Sequence, residues 1–398
     1  MLVYVGVGMD NTIEKWSSLP DHIIVRILLY LKLPQRYQAS LTCTSWNSCF
    51  HSHYLWKDFS FSFTNSSDKR YLNIFSQHGN HLQNVKVFVD QGVTENRENA
   101  CSLLSKLAEI KELDLQSLTI TFTGDNPVFY AGKEFLNALS PIVSASCINH
   151  SLRNLDLSGL SVSLEDTILN SLADNHSNLQ SLNIINQVLI CKISPQCLLN
   201  LVKKCPKLNS LACHHCSLDD DTLLQFLEGD RAPLRKLIIK CRREEKYTKD
   251  IEQDTWKKLS DTLQQLRVTL IFDYSCPLYR VSEIMKQQVP VSVLRLETFT
   301  YIYDEVRQAS MYYSKTLRKL VLNTPMSRNA PELNKALVEI AQECKLLSSM
   351  HVFCVLEEDT VKQILALHPE MKEKNTYTLK FTDEPAPWVP GKDCGCDE

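Results

Sequence analysis

"LRNLDLSGLSVSLEDTILNSLADNHSNLQSLNI", residues 152–184, holds one full period of a pattern that runs through most of the chain. In "LRNLDL" (152–157) the first, fourth and sixth residues are apolar, and Asp156 between the last two is polar. That alternation predicts a short strand with one buried and one wet face. "SLEDTILNSLADN" (163–175) then switches to helical spacing of its apolar residues. The opening frame returns as "LQSLNI" (179–184). One strand and one helix fit between successive copies.

The same frame appears at "LQNVKV" (82–87), "IKELDL" (110–115), "LNSLAC" (208–213), "LRKLII" (234–239) and "LQQLRV" (263–268). It continues at "VSVLRL" (291–296), "LRKLVL" (317–322) and "LSSMHV" (347–352), with a degenerate copy at "TYTLKF" (376–381). Taking the fourth residue of each as anchor, from Val85 to Leu379, the spacing is 26 to 30 residues with one exception of 42, between Leu113 and Leu155. The surplus there surrounds Gly124-Asp125-Asn126-Pro127, turn chemistry that predicts a rim loop before a helix from about Lys133. A strand and a helix in about 28 residues is the leucine-rich-repeat unit. No single unit buries its own apolar face, so the units stack into a continuous core. Strands neighbour at about 4.8 Å and helices at about 10 Å, so the stack curves with its strands inside. The predicted fold class is α/β: a curved solenoid over residues 61–383, about eleven repeats, with concave parallel strands and convex helices. Cys205 and Cys344, closing helices just before strands, belong to its core.

The outward strand positions are then the candidate target-binding residues. They are Asp114, Asp156, Asn183 and His214 towards one end, and Arg267, Arg295, Lys319 and His351 towards the other. This ordering predicts an acid-to-base gradient along the arc, which would orient a partner more than tighten its hold.

Ahead of the repeats stands "LPDHIIVRILLYL" (19–31). As a helix, Ile23, Ile24, Ile27, Leu28 and Leu31 fill one arc of roughly 140°. Val25, Leu29 and Tyr30 extend apolar surface beyond it. A helix apolar nearly all round is buried on two sides. Pro20 suits the first turn, and Pro34 is expected to hold Leu33 extended and end the helix. A second helical segment, "QRYQASLTCTSW", follows. The order Leu19-Pro20, an Ile/Leu-rich helix, Leu33-Pro34, Cys43 with Trp46, and Leu55-Trp56 resembles the F-box. With the repeats behind it, the chain resembles the F-box/leucine-rich-repeat (F-box/LRR) family. The resemblance implies a three-helix F-box at 16–60, between a flexible stretch at 1–15 and the repeats, with a C-terminal tail at 384–398. It also implies a Skp adaptor, a cullin scaffold and a protein target as partners. The implied adaptor-binding residues are Leu19, Pro20, Ile23, Ile24, Ile27, Leu28, Leu31, Leu33, Pro34, Cys43, Trp46, Leu55 and Trp56.

The remaining features narrow the classes. The 398 residues carry a formal net charge of -3 with no basic tract, which argues against nucleic acid as partner. The longest apolar run is about half a membrane span and contains Arg26. Fifteen cysteines behind an N-terminus too short for a signal core predict thiols in a reducing compartment, cytoplasm or nucleus. "CHHC" (213–216) alternates faces of one strand and has no second pair at finger-like spacing, so no metal is expected. "CRREEKYTKD" (241–250) mixes charges and reads as a solvated connection. No nucleophile–base arrangement stands out, so neither a catalytic residue nor a cofactor is expected. The competing reading is a repeat scaffold or inhibitor that works without the ubiquitin machinery.

Overall fold

The computed structural model describes residues 16, 18–111, 113–125, 132–144, 152–188, 190–297, 301–323 and 331–380. The expected stretches 1–15 and 384–398, and the middle of the predicted rim loop, lie outside these.

Three short helices open the chain: α1 (Asp21–Leu29), α2 (Leu33–Ser40) and α3 (Thr44–Phe50). Pro20 precedes α1, where its carbonyl accepts from Ile23 N at 2.9 Å. Pro34 does not end a helix as expected. It sits at the second position of α2 with Leu33 already helical, because a proline lacking its N–H is tolerated in a first turn. Gln35 closes that turn, its Oε1 accepting from Lys32 N at 3.1 Å. The single second helix read from the sequence is two, separated at residues 41–43. Arg36 ties the unit together: its guanidinium donates to the carbonyls of Leu31 at 2.8 Å, Leu29 at 3.3 Å and Leu55 at 3.4 Å. The first two satisfy carbonyls at and just beyond the end of α1, and the third reaches the turn before β1.

The described residues then form one twelve-stranded parallel sheet whose spatial order is the chain order. The strands are β1 (Asp58–Phe63), β2 (Asn84–Val89), β3 (Ser117–Phe122), β4 (Asn154–Gly159), β5 (Ser181–Asn183) and β6 (Ser210–His214). They continue with β7 (Lys236–Cys241), β8 (Arg267–Phe272), β9 (Val291–Glu297), β10 (Lys319–Asn323), β11 (Ser349–Val355) and β12 (Tyr377–Lys380). Helices or short helical turns connect them. This is a leucine-rich-repeat solenoid. Its inward anchors are fully buried: Val85, Leu155, Leu182, Leu211, Leu237, Leu294, Leu320 and Met350 each expose 2% or less. Each such side chain contributes about 1.5–3 kcal/mol by leaving water.

Three positions depart from the sequence reading. The solenoid begins one strand earlier than expected, with β1 starting at Asp58 inside the span assigned to the F-box. Strand β3 is not "IKELDL" but the overlapping "LQSLTI", so Leu118 and not Leu113 pairs with Val85 and Leu155. In β8, Val268 and not Leu266 pairs with Leu237. Leu113 and Leu266 are buried nonetheless, just outside the ladder.

The helical unit is welded to the solenoid by aromatic rings. The Trp56 ring stacks on the His78 ring at 3.8 Å between centroids, nearly parallel, and Phe50 meets Trp56 edge-on at 5.3 Å. Trp56 Nε1 donates to the Phe50 carbonyl at 2.8 Å.

Candidate interaction surfaces

The F-box residues named from the sequence divide by exposure. Ile24 and Leu28 are wholly buried, and Leu55 and Trp56 expose 2% each. These four belong to the internal core of α1–α3 and its joint to β1. Leu19, Ile23, Ile27, Leu31, Leu33, Cys43 and Trp46 are half-buried, while Pro20 and Pro34 are exposed. The Trp46 ring N–H donates to the Trp16 carbonyl at 3.1 Å, which fixes the edge of the unit. The large apolar side chains left most open are residues the sequence reading did not select. Trp16, Leu29, Tyr30, Tyr37, Leu41 and Tyr54 are between 50% and 82% exposed. For Leu29 and Tyr30 the signal was present, since both fell outside the core arc of α1. For Tyr37 and Leu41 it was not, because α2 carries no apolar period strong enough to separate faces.

On the solenoid, strand register sorts the outward residues into lines that cross the sheet. Asp156, Asn183 and Lys319 lie on one line, joined through Ala212, Ile238, Thr269 and Val293. His214, Arg295 and His351 lie on the next, joined through Lys240, Ile271 and Val321. Two residues fall off these lines. Asp114 precedes β3, and its carboxylate accepts from the Gln83 amide at 2.9 Å and the Gln116 amide at 2.8 Å. Arg267 is the first residue of β8, at the edge of the sheet, paired with Lys236.

The expected gradient is not what these lines present. Asp156 accepts from the Ser158 N–H at 2.9 Å and its hydroxyl at 2.7 Å, and Asn183 Oδ1 accepts from Ile185 N at 3.2 Å. Both turn back on their own loops. Arg295 is 5% exposed and ion-paired at 2.5 Å with Glu297, itself 4% exposed. Burial holds the Glu297 carboxyl above its usual range, with Arg295 pulling it back. Lys240 faces Asp273 at 3.6 Å. His351 is also covered; burial and then the Lys319 charge push its imidazole down to about 4, and it bonds Ser349 Oγ at 2.9 Å and Thr378 Oγ1 at 3.0 Å. His214 is 4% exposed and pushed down to about 3 by burial, with Arg242 and Lys240 adding to the effect. Both histidines are neutral at pH 7. The concave groove between β3 and β10 has a volume of about 870 Å³ and an apolar floor of Ile185, Ile238, Ile271 and Val293.

"CRREEKYTKD" is a solvated connection only in part: Arg243, Lys246, Tyr247, Lys249 and Asp250 are exposed. Cys241, Arg242 and Glu245 are buried, and Glu245 Oε2 lies 2.6 Å from His215 Nδ1 and accepts from Thr248 Oγ1 at 2.7 Å. His215, Cys241 and Glu245 gather their donor atoms within 4.8 Å of one another. The 2.6 Å His–Glu separation is that of a charge-assisted hydrogen bond, so the grouping closes on itself.

Comparison with known proteins fits this division. Residues 16–62 match the F-box-like family model. The whole length is similar to human F-box/LRR-repeat protein 8, at 30% identity over 378 residues, 95% of this chain and 98% of that protein. The chain belongs to the F-box/LRR-repeat family. The mouse F-box/LRR-repeat protein 8 is likewise 30% identical over 378 residues, with the same shares of the two chains covered. Mouse F-box/LRR-repeat protein 21 is 27% identical over 84% of this chain and 76% of its own length. Among the described residues no helix is long and apolar enough to cross a membrane.

Proposed function

We propose that this chain is the substrate-recognition subunit of a Skp–cullin–F-box ubiquitin ligase, recruiting a target protein for ubiquitination and proteasomal degradation. The observation that carries the reading is the apolar surface left open on α1–α3, where Leu29, Tyr30, Tyr37 and Leu41 are all at least half exposed. Exposed apolar patches of this kind mark protein interaction sites. In this reading the Skp adaptor covers that surface and the cullin scaffold is held through the adaptor. The solenoid holds the target on its strand side. Ubiquitin transfer is carried out by the enzymes of the assembly, and this chain contributes proximity, which raises the effective concentration of target lysines. No side chain of the solenoid has a chemical step in this scheme. The compartment is the cytoplasm or nucleus, where such assemblies and free thiols coexist.

The test is reconstitution. The full chain mixed with purified Skp adaptor and cullin is expected to co-elute with both in gel filtration. A chain that binds protein targets yet stays apart from the adaptor at micromolar concentration would leave only the scaffold reading.

A further inference from the structure

A second groove, of about 680 Å³, runs along the edge where β7 to β10 begin. Arg235, Arg267, Lys315 and Arg318 line it, and no carboxylate does. The backbone fixes their order: Arg267 N donates to the Arg235 carbonyl at 2.9 Å, and Arg318 N to the Ser292 carbonyl at 2.8 Å. Three strand spacings separate β7 from β10, so the charges span about 14 Å. Lys236, Cα partner of Arg267, stands beside them.

The contrast with the rest of the solenoid matters. Several cations elsewhere in the solenoid are matched, as in Lys240 with Asp273, Arg280 with Asp250 and Arg307 with Glu339. Among the described residues, the four groove cations make no side-chain hydrogen bond or ion pair. Four like charges so close repel one another, and an anion that enters the groove relieves that repulsion. The groove wall also holds Thr316, whose buried hydroxyl has no hydrogen-bond partner among the described residues.

We propose that this groove binds an acidic segment of the target, a peptide stretch with clustered negative charge from carboxylates or phosphoryl groups. The proposal rests on the reading that the solenoid holds the target, and it moves the main charged contact from the concave floor to the strand-start edge. A peptide fits better than nucleic acid. The lining contains no aromatic ring on which a base could stack, and it offers Gln264, Gln265 and the exposed Leu346, which suit peptide amides and an apolar side chain.

The experiment is fluorescence anisotropy on the full chain, alone and mixed with the Skp adaptor. The probes are a labelled ten-residue Glu/Ser peptide, its phosphoserine form, a Lys/Ser peptide and an oligothymidylate. The acidic peptides are expected to bind, with affinity falling as salt rises, and the Lys/Ser peptide is not. Arg267→Glu with Arg318→Glu should weaken acidic binding at least tenfold. Lys106→Glu with Lys111→Glu, the same charge change away from the groove, should leave it within twofold. Tenfold preference for the phosphoserine form identifies phosphoryl groups as the charge read, and equal binding identifies carboxylates. Equal loss in both variants, or displacement of the acidic peptide by oligothymidylate, overturns the proposal. If acidic peptides bind but the adaptor does not, the groove stands and the ligase reading falls; if the adaptor binds but acidic peptides do not, the reverse holds.

Discussion

The helical unit and the concave sheet handle their surfaces in opposite ways. Within residues 16–54, six large hydrophobic side chains stay at least half exposed, whereas five more are scattered along the much longer rest of the described chain. The concave strands instead pair charges with one another, Arg295 with Glu297 and Lys240 with Asp273, and satisfy the neutral His351 with the hydroxyls of Ser349 and Thr378. The first surface has unspent apolar area, so a partner gains by covering it, and salt should matter little there. The second pairs several of its charges within the chain. A residue facing a partner's side of a sheet is therefore not the same as a residue free to read a partner.

That distinction is most exposed at Arg295. As a target-reading residue, its removal would cost binding and leave the fold alone. As half of a buried pair, its removal strands Glu297, and such a break costs about 3–5 kcal/mol. Arg295→Ala is expected to lower the urea midpoint by a corresponding amount. Arg295→Leu with Glu297→Leu should recover most of the loss, because replacing both partners by apolar groups of similar volume is often near neutral. Wild-type stability in the single variant would show that the concave charges are free after all, and the contrast between the two surfaces would fail.

The helical unit should behave the other way. Leu29→Asp with Leu41→Asp places charges on side chains that are 50% and 60% exposed. The melting temperature is expected to stay within a degree or two, while adaptor affinity by calorimetry falls about a hundredfold, close to 3 kcal/mol. Leu28→Ala, at a wholly buried position, should instead destabilise by about 2–5 kcal/mol and weaken the adaptor only as the unit unfolds. Undiminished affinity in the Leu29/Leu41 variant would move the docking surface elsewhere.

Most of the fold was legible because the apolar frame recurs with little variation, and the misreadings have identifiable causes. Strand β1 was hidden because its frame, Trp56, Phe59 and Phe61, uses aromatics for leucines, and because Trp56 also closes the F-box pattern. Around β3, "IKELDL" and "LQSLTI" both satisfy the frame, and the 28-residue step from Val85 to Leu113, which matches the period of the other repeats, favoured the wrong one. In β8, Leu266, Val268, Leu270 and Phe272 alternate without a break, and a period of two cannot choose among registers that differ by two. For the docking surface, helical spacing separated Leu29 and Tyr30 from the core arc but could not say which arc faces inward. The concave pairings were not legible at all. Glu297 and Asp273 lie beyond the six-residue frame, and which cation each one meets depends on neighbouring strands.

The smallest expected effect is a pH dependence that the two regions share. Burial holds His78 and His351 down at about 4 and His214 at about 3, against 6.5 for a free imidazole. His51 and His81 assist at His78. Each is neutral in the folded chain at any pH above its lowered value, while the unfolded chain takes up a proton near 6.5. The unfolded state thus binds more protons between these limits, and stability falls as pH drops. Full stability lies above about 6.5, and moving from pH 7.5 to 6.0 should remove somewhat under 1 kcal/mol per histidine. Urea melts at the two pH values measure the sum. His78→Phe can keep a ring on Trp56 while removing one titrating group, so it should shrink the pH effect by about a third and leave the concave share intact. An unchanged pH effect in that variant would place the whole of it on the concave strands, and the joint between the helical unit and the solenoid would carry no pH sensitivity.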